Sequence, residues 1–350
     1  MNLDQYLRRL PKVDLHFHLA GTLQPRTLFD LARKNGVDLP TWDAEKIYDF
    51  QDFYDFLDVL ERIAGCIKDK GDFARVSYEA LRDAAVAGNL RYAELFFNPQ
   101  YHYPQGISYT TMVDGYIEGL EAAEKEFGVV GRLIPSINRE LGSGSALDMV
   151  RDVVNHPRER VIGIGMDCAE YKGKPHLFVE AYAMARKAGL RCTAHVCEDN
   201  QTLEQAPPSH VTDCLDLLGC DRLDHGYNML ADPAVVRRCR DCGIACTVGS
   251  HTCIASRMKK RWDSIGKMRE AGLNLTIATD DPPMFKTDIG QSYVTAQERL
   301  GLSATEAAAL ALAGIEATWL SDGEKRDMRR SFDAEISALT QKLQVEPIPI

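Results

Sequence analysis

The chain is 350 residues long, 45% hydrophobic and 26% charged, proportions ordinary for a globular protein and enough for one large barrel or two medium domains. A formal charge of −10 argues against nucleic acid as the main partner, and no apolar run nears the roughly 18 residues of a membrane helix. The N-terminal stretch has no apolar core or small-residue cleavage site, so no secretory signal is read, the ten cysteines are expected to be reduced, and a cytoplasmic location is expected.

Short β-rich runs alternate with longer helical patterns along the chain, which is the signature of a parallel α/β sheet. Eight such runs are readable: Val13–Leu19, Leu90–Phe97, Gly128–Ile137, Val161–Asp167, Leu190–Val196, Asp221–His225, Gly243–Val248 and Leu273–Thr279. Helix patterns lie between most of them, for example Lys174–Ala188 and Ser264–Ala271. Eight parallel strands close a (β/α)8 TIM barrel, whereas a doubly wound sheet would want fewer strands and a Gly-rich first loop. No GxGxxG opens a helix, and Gly142–Ser145 reads as a loop and helix cap. Residues 40–72 follow the first strand and carry Trp42, Tyr48, Phe50, Phe53, Tyr54 and Phe56, so a helical insertion near the barrel mouth is expected. From Ser303 onward the chain reads as C-terminal helices, and one domain is expected over residues 1–350. Cys239, Cys242 and Cys246 have clip-like spacing, but no second Cys/His pair completes a metal set.

Barrel enzymes build their sites at the C-terminal ends of the strands. Strand one ends His16-Phe17-His18, and residues i and i+2 share a face, so both imidazoles aim at the same space. Strands five and six finish at His195 and His225, and strand eight runs into Asp280-Asp281. Each residue alone reads as a polar loop group. Together they would place uncompensated polar side chains in an apolar barrel unless a metal binds them. Three neutral imidazoles and a carboxylate suit zinc, with iron or manganese left open, and His16, His18, His195 and Asp280 are the expected ligands of one Zn2+ per chain. Strand four ends Met166-Asp167-Cys168 with no lysine or glutamate to bridge a second ion, although Glu170 lies three residues beyond Asp167. His225 is then free to hold or deprotonate water, Glu198 is placed to donate a proton, and Asp281 points towards substrate. A metal, a base, an acid and a second carboxylate fit hydrolysis at an electrophilic C=N carbon with loss of ammonia.

Four stretches carry a resemblance: Leu10–Leu23 (LPKVDLHFHLAGTL), Thr193–Asp199 (TAHVCED), Arg222–Asn228 (RLDHGYN) and Thr276–Phe285 (TIATDDPPMF). In this order they resemble the adenosine/adenine deaminase family of the amidohydrolase superfamily. The resemblance implies zinc on His16, His18, His195 and Asp280. It also implies that Glu198 protonates the purine nitrogen beside the attacked carbon, that His225 activates the water, and that Asp281 meets the imidazole side of the ring. AELFFNPQYH (Ala93–His102) and Glu170 look more like the adenine branch, with Glu170 expected at the substrate. Three positions depart from the family: Ala20 stands where it has an acid, His195-Val196-Cys197-Glu198 replaces its HAGE, and Gly249-Ser250-His251-Thr252-Cys253 replaces CPxSN, with His251 expected to face the pocket. The implied reaction converts a 6-aminopurine, as adenine, adenosine or a modified relative, to the 6-oxopurine. Hydrolysis of another heterocyclic amine or an N6-substituted purine is the alternative. The expected partner is a small purine base or nucleoside, with no nucleic acid and no membrane. Large barrels often pair, so a homodimer stays open.

Overall fold

The structure is a computed structural model that describes residues 1–252 and 257–343, so Cys253 of the departing strand-seven motif lies outside the described residues. The strands run β1 (Lys12–His18), β2 (Leu90–Phe97), β3 (Val130–Asn138), β4 (Gly163–Asp167), β5 (Arg191–Cys192), β6 (His195–Val196), β7 (Arg222–His225), β8 (Ala245–Gly249) and β9 (Asn274–Ala278). Every pairing is parallel and follows chain order. β5 and β6 are halves of one barrel strand: between them the Thr193 N–H still bonds Ile164 O at 3.1 Å, and Ala194 O accepts from the Asp224 N–H at 3.0 Å. The ring closes where His18 N–H donates to Asp280 O and Asp280 N–H donates to His16 O, both at 2.9 Å. The chain is therefore a (β/α)8 barrel, as its alternating pattern predicts.

The strands are buried on both faces, inside by barrel filling and outside by helices, which explains near-continuous apolar runs such as Leu95-Phe96-Phe97. Helices enter the strands through left-handed turns: Gly243 (φ +66°) and Gly272 (φ +75°) end the helices before β8 and β9, a conformation that costs an L side chain about 1–2 kcal/mol. Most strand bounds shift by one or two residues, the helix read as Ser264–Ala271 runs Met258–Glu270, and two segments differ in kind from the sequence reading. Gly142–Ser145 forms the first turn of the helix Gly142–Asn155 rather than a loop, and the segment after Lys174 opens with a 3-10 turn (Pro175–Phe178) because Pro175 suits a helix start.

The two ends of the barrel differ in chemistry. At the bottom, Val13, Leu15, Tyr92, Ala245, Ile315, Ala317 and Phe332 form an apolar plug, with Phe332 supplied by the C-terminal helix Asp322–Thr340. Above it Arg222 bonds Glu94 at 2.6 Å and lies 4.4 Å over the Trp319 ring, so this buried charge is paired. At the top, the helix Phe53–Ala64 from within residues 40–72 packs against the turn Ala20–Thr22 that follows β1. Asp52 caps that helix by accepting from the N–H groups of Tyr54 and Asp55 at 2.9 Å each. Among the described residues, no helix is long and apolar enough to cross a membrane.

Candidate active site

Asp14, His16 and His18 occupy every second position of β1, whose ladder with β2 shifts register between Asp14 and Phe17. His16 and His18 meet with their Nε2 atoms 3.1 Å apart, and His18 Nε2 lies 3.0 Å from His195 Nε2 at the end of β6. Asp280 Oδ1 completes the set at 3.2 Å from His16 Nε2 and 3.5 Å from His18 Nε2. All four ligand atoms lie within 4.8 Å of one another, and all four residues are buried.

The protons on this cluster can be traced. Thr247 spends its hydroxyl proton on Asp224 Oδ1 at 2.8 Å, so its oxygen is left to accept from His16 Nδ1 at 3.0 Å. His16 then carries a hydrogen on Nδ1; burial disfavours its charge, but Asp280, Asp224 and Asp14 raise it above the usual imidazole range, so its inward Nε2 draws a proton that a metal ion would replace. Asp224 also stands 3.6 Å from His195 Nδ1 and is held by the Thr193 hydroxyl at 2.8 Å. Burial, reinforced by His16, holds both His18 and His195 below the usual imidazole range, which keeps them neutral. Burial disfavours the Asp280 charge, but His16 overrides it and holds that carboxyl well below its usual range. The lone pairs of His18 and His195 and the Asp280 carboxylate thus converge on His16 across about 3 Å, an arrangement that a metal cation at their centre would satisfy. The donor set fits zinc.

Around the cluster the backbone leaves ordinary geometry. Cys168 (φ +69°), Cys197 (φ +55°), His225 (φ +71°) and Asp280 (φ +65°) all sit at or just beyond the C-terminal ends of barrel strands. Left-handed conformations break the alternation of a strand and re-aim the side chains that follow, and they persist only where neighbours hold them. Cys197 stands where the resemblance expects glycine, and its φ gives the reason for glycine there. Here the turn is held instead by Glu170, whose Oε2 accepts the Cys197 N–H at 2.8 Å while Oε1 meets His210 Nδ1 at 2.6 Å.

A narrow cavity opens over the cluster. His18, His195, His225, Glu198, Asp280 and Asp281 form its floor, and Phe53, Phe56, Leu57, Leu60 and Phe285 form an apolar roof. Glu198 has its carboxyl raised to about 7 by burial, with Arg261 pulling the other way. His225 Nε2 stands 3.8 Å from Glu198 Oε1, and its buried Nδ1 has no hydrogen-bond partner among the described residues. Asp281 Oδ1 is likewise buried, with no hydrogen-bond partner among the described residues.

Seven of the ten residues singled out from sequence therefore converge: His16, His18, His195, Asp280, Glu198, His225 and Asp281. The other three lie elsewhere among the described residues. Glu170 spends its carboxylate on the Cys197 turn and does not line the cavity, because its bonds to Cys197 and His210 turn it away. Ala20 is half-buried beneath the helix Phe53–Ala64, outside the lining. His251 turns Nδ1 onto Ser250 Oγ at 2.7 Å and is also outside the lining. Sequence reading passed over Asp224, Asp14, Asn98, Asp167, Asn200 and Arg261. Asp14 had a signal, since it is two residues before His16 on the same face. It accepts from the His16 N–H at 3.2 Å and from Thr279 Oγ1 at 2.6 Å, tying β1 to the segment after β9. Arg261 had none, being 63 residues from Glu198.

Comparison with known proteins agrees with this geometry. The sequence model of the adenosine deaminase family matches residues 11–335. The adenine deaminase of Rhodospirillum rubrum is 35% identical over 338 residues, covering 94% of this chain and 98% of its own length. Among solved structures, an amidohydrolase from Burkholderia ambifaria with bound Zn superposes with a TM-score of 0.88 at 30% identity, covering 97% of this chain and 94% of that one. The adenine deaminase of Arthrobacter aurescens gives a TM-score of 0.85 at 31% identity, with 95% and 99% covered.

Proposed function

Because the chain belongs to the adenosine deaminase family, it is a zinc-dependent hydrolytic deaminase of a 6-aminopurine, and we propose that its substrate is the free base, adenine or a close derivative, rather than the nucleoside. The observation that carries this is the state of the cavity's polar groups away from the floor. Asn98 Nδ2 already donates to both oxygens of Asp167 at 2.8 Å, the Tyr101 hydroxyl lies 3.3 Å from Cys168 Sγ, and Asn200 is bonded to Glu198 and Thr252. The remainder of the roof is phenylalanine and leucine. A ribose pressed against the phenylalanines and leucines would lose its water there and find no free donor on Asn98, Tyr101 or Asn200, and unpaired buried hydroxyls are costly. A flat aromatic base loses little there. The adenine deaminases among its relatives support the same reading.

A zinc ion on His16, His18, His195 and Asp280 supplies the Lewis acidity that makes water nucleophilic near neutral pH. The remaining groups do the rest. Glu198, protonated by virtue of its burial, gives its proton to the ring nitrogen beside the amino-bearing carbon and so makes that carbon electrophilic. His225 is kept neutral by burial, with His16 pushing the same way, so it can accept a proton from the attacking water and pass it to the departing amine. Asp281, on the cavity floor, holds the imidazole edge of the ring. The roof formed by Phe53, Phe56, Leu57, Leu60 and Phe285 excludes competing water.

The test is ammonia release from adenine, adenosine and N6-substituted adenines by the purified zinc protein. We expect adenine or a substituted adenine to be turned over with a kcat/KM ~100-fold above adenosine, the order that rejection of a hydroxyl by an apolar wall reaches. Preference for adenosine would reject the free-base reading, and turnover confined to non-purine amines would reject the substrate class.

A further inference from the structure

Glu198 is held by two side chains. Asn200 Nδ2 donates to its Oε1 at 2.5 Å, and Arg261 Nη2 donates to the same oxygen at 3.0 Å. Among the described residues every hydrogen bond to this carboxyl ends on Oε1. Neither donor is free to wander. Thr252 Oγ1 donates to Asn200 Oδ1 at 3.1 Å, which fixes the way the amide faces. Arg261 is fully buried, bonds Asp199 Oδ1 at 2.7 Å and the His251 carbonyl at 2.6 Å, and lies 4.8 Å from the Tyr227 ring centroid. One guanidinium thus joins the loop after β6, the loop after β7 and the loop after β8.

We infer that Arg261 and Asn200 are positioning residues that pin Oε1 of Glu198 as an acceptor and reserve Oε2 as the oxygen that carries the catalytic proton. The inference rests on the acid role proposed above for Glu198. An oxygen that accepts from both an amide and a guanidinium N–H has no room for its own hydrogen, so the proton of the neutral carboxyl resides on the other oxygen. In the transfer the Oε2–H bond breaks, an N–H bond forms on the ring, and the electron pair stays on the carboxylate. That new charge forms beside Arg261, already in place, so no reorganisation is needed when it appears. Over the full turnover the proton is replaced by one of the two from the attacking water, and the other leaves with the amine as ammonia. The clamp also makes the acid sensitive to the loop after β8, because the His251 carbonyl and the Glu198 carboxyl share one guanidinium.

The test uses the full-length zinc protein and two variants, Asn200→Ala and Arg261→Lys, with Glu198→Gln as a spectroscopic blank. The carboxyl C=O infrared band that disappears in Glu198→Gln is recorded without substrate on the acid side of about 7. Loss of a donor to Oε1 is expected to move that band to higher frequency in both variants. Kinetically, kcat is expected to fall at least ~10-fold while KM stays within ~3-fold, because the clamp acts on the transition state. A band that does not move, or a proportional loss of kcat and of folded protein with no band shift, overturns the inference. The spectroscopic arm needs no turnover. If the band shifts but no aminopurine releases ammonia, the clamp stands and the proposed function fails.

Discussion

Gly21 lies so close to Asp281 that a Cβ built on it would fall 1.8 Å from Asp281 Oδ1, far inside any real contact. The glycine is the space that the carboxyl occupies. Gly21→Ala must therefore push Asp281 out of the cavity floor or distort the turn after β1. Since misplacing a positioning group by about 1 Å can cost ~10²-fold, kcat/KM should fall by at least that factor while circular dichroism remains native. Near-normal activity in Gly21→Ala would remove Asp281 from the substrate site.

Asp224 stands beneath two ligands, 3.7 Å from His16 Nδ1 and 3.6 Å from His195 Nδ1, and is oriented by Thr193 and Thr247 at 2.8 Å each. Groups in this position orient ligands and raise their basicity, and removing them typically weakens metal affinity 10–100-fold. Asp224→Asn should lower zinc affinity by about that factor in chelator competition. Wild-type protein should retain one zinc per chain. Unchanged affinity in the variant would show that Asp224 does not orient the imidazoles.

Glu198 gives the pH dependence. Burial raises its carboxyl from 4.5 to about 7, so the proton it must donate is present below that value and lost above it. The rate constant for the chemical step should fall as pH rises through an alkaline limb at or below about 7, since the positive charge of bound zinc draws the value down. Asp280 and Asp199 act to raise it and Arg261 to lower it. The same shift sets a stability window. A group whose folded pKa is raised contributes stability that is complete below 4.5 and lost as pH climbs to about 7. Denaturant titrations of wild type and Glu198→Gln should therefore diverge across that interval, with wild type losing ground at the alkaline end. Parallel curves would contradict it.

Glu170 separates support of the turn from contact with substrate. It holds the Cys197 N–H and His210 and lies outside the cavity lining. Glu170→Ala leaves a buried N–H without its acceptor, which costs roughly 1–3 kcal/mol, and frees the turn that aims Glu198. We expect a lower melting temperature and a kcat lowered by at least ~10-fold, with the inhibition constant of the 6-oxopurine product within ~3-fold. A large loss of product affinity would place Glu170 at the ligand after all.

The sequence by itself determined the barrel and the metal ligands. Alternation of eight apolar runs with amphipathic helices leaves few other ways to bury both faces of each strand. The i, i+2 spacing of His16 and His18 also fixes where they point, because strand geometry is local. The tertiary structure decided what depends on distant segments meeting. Arg261 reaches Glu198 across 63 residues, and Asp224 finds His16 only because β7 and β1 face each other across the barrel. The left-handed backbone at Cys197 and His225 re-aims side chains that alternation would have sent elsewhere, and it is also why Glu170, read from sequence as a substrate contact, is drawn under the turn instead. No pattern of residue types encodes such contacts, since their energy comes from pairing buried charges that only the closed barrel brings together.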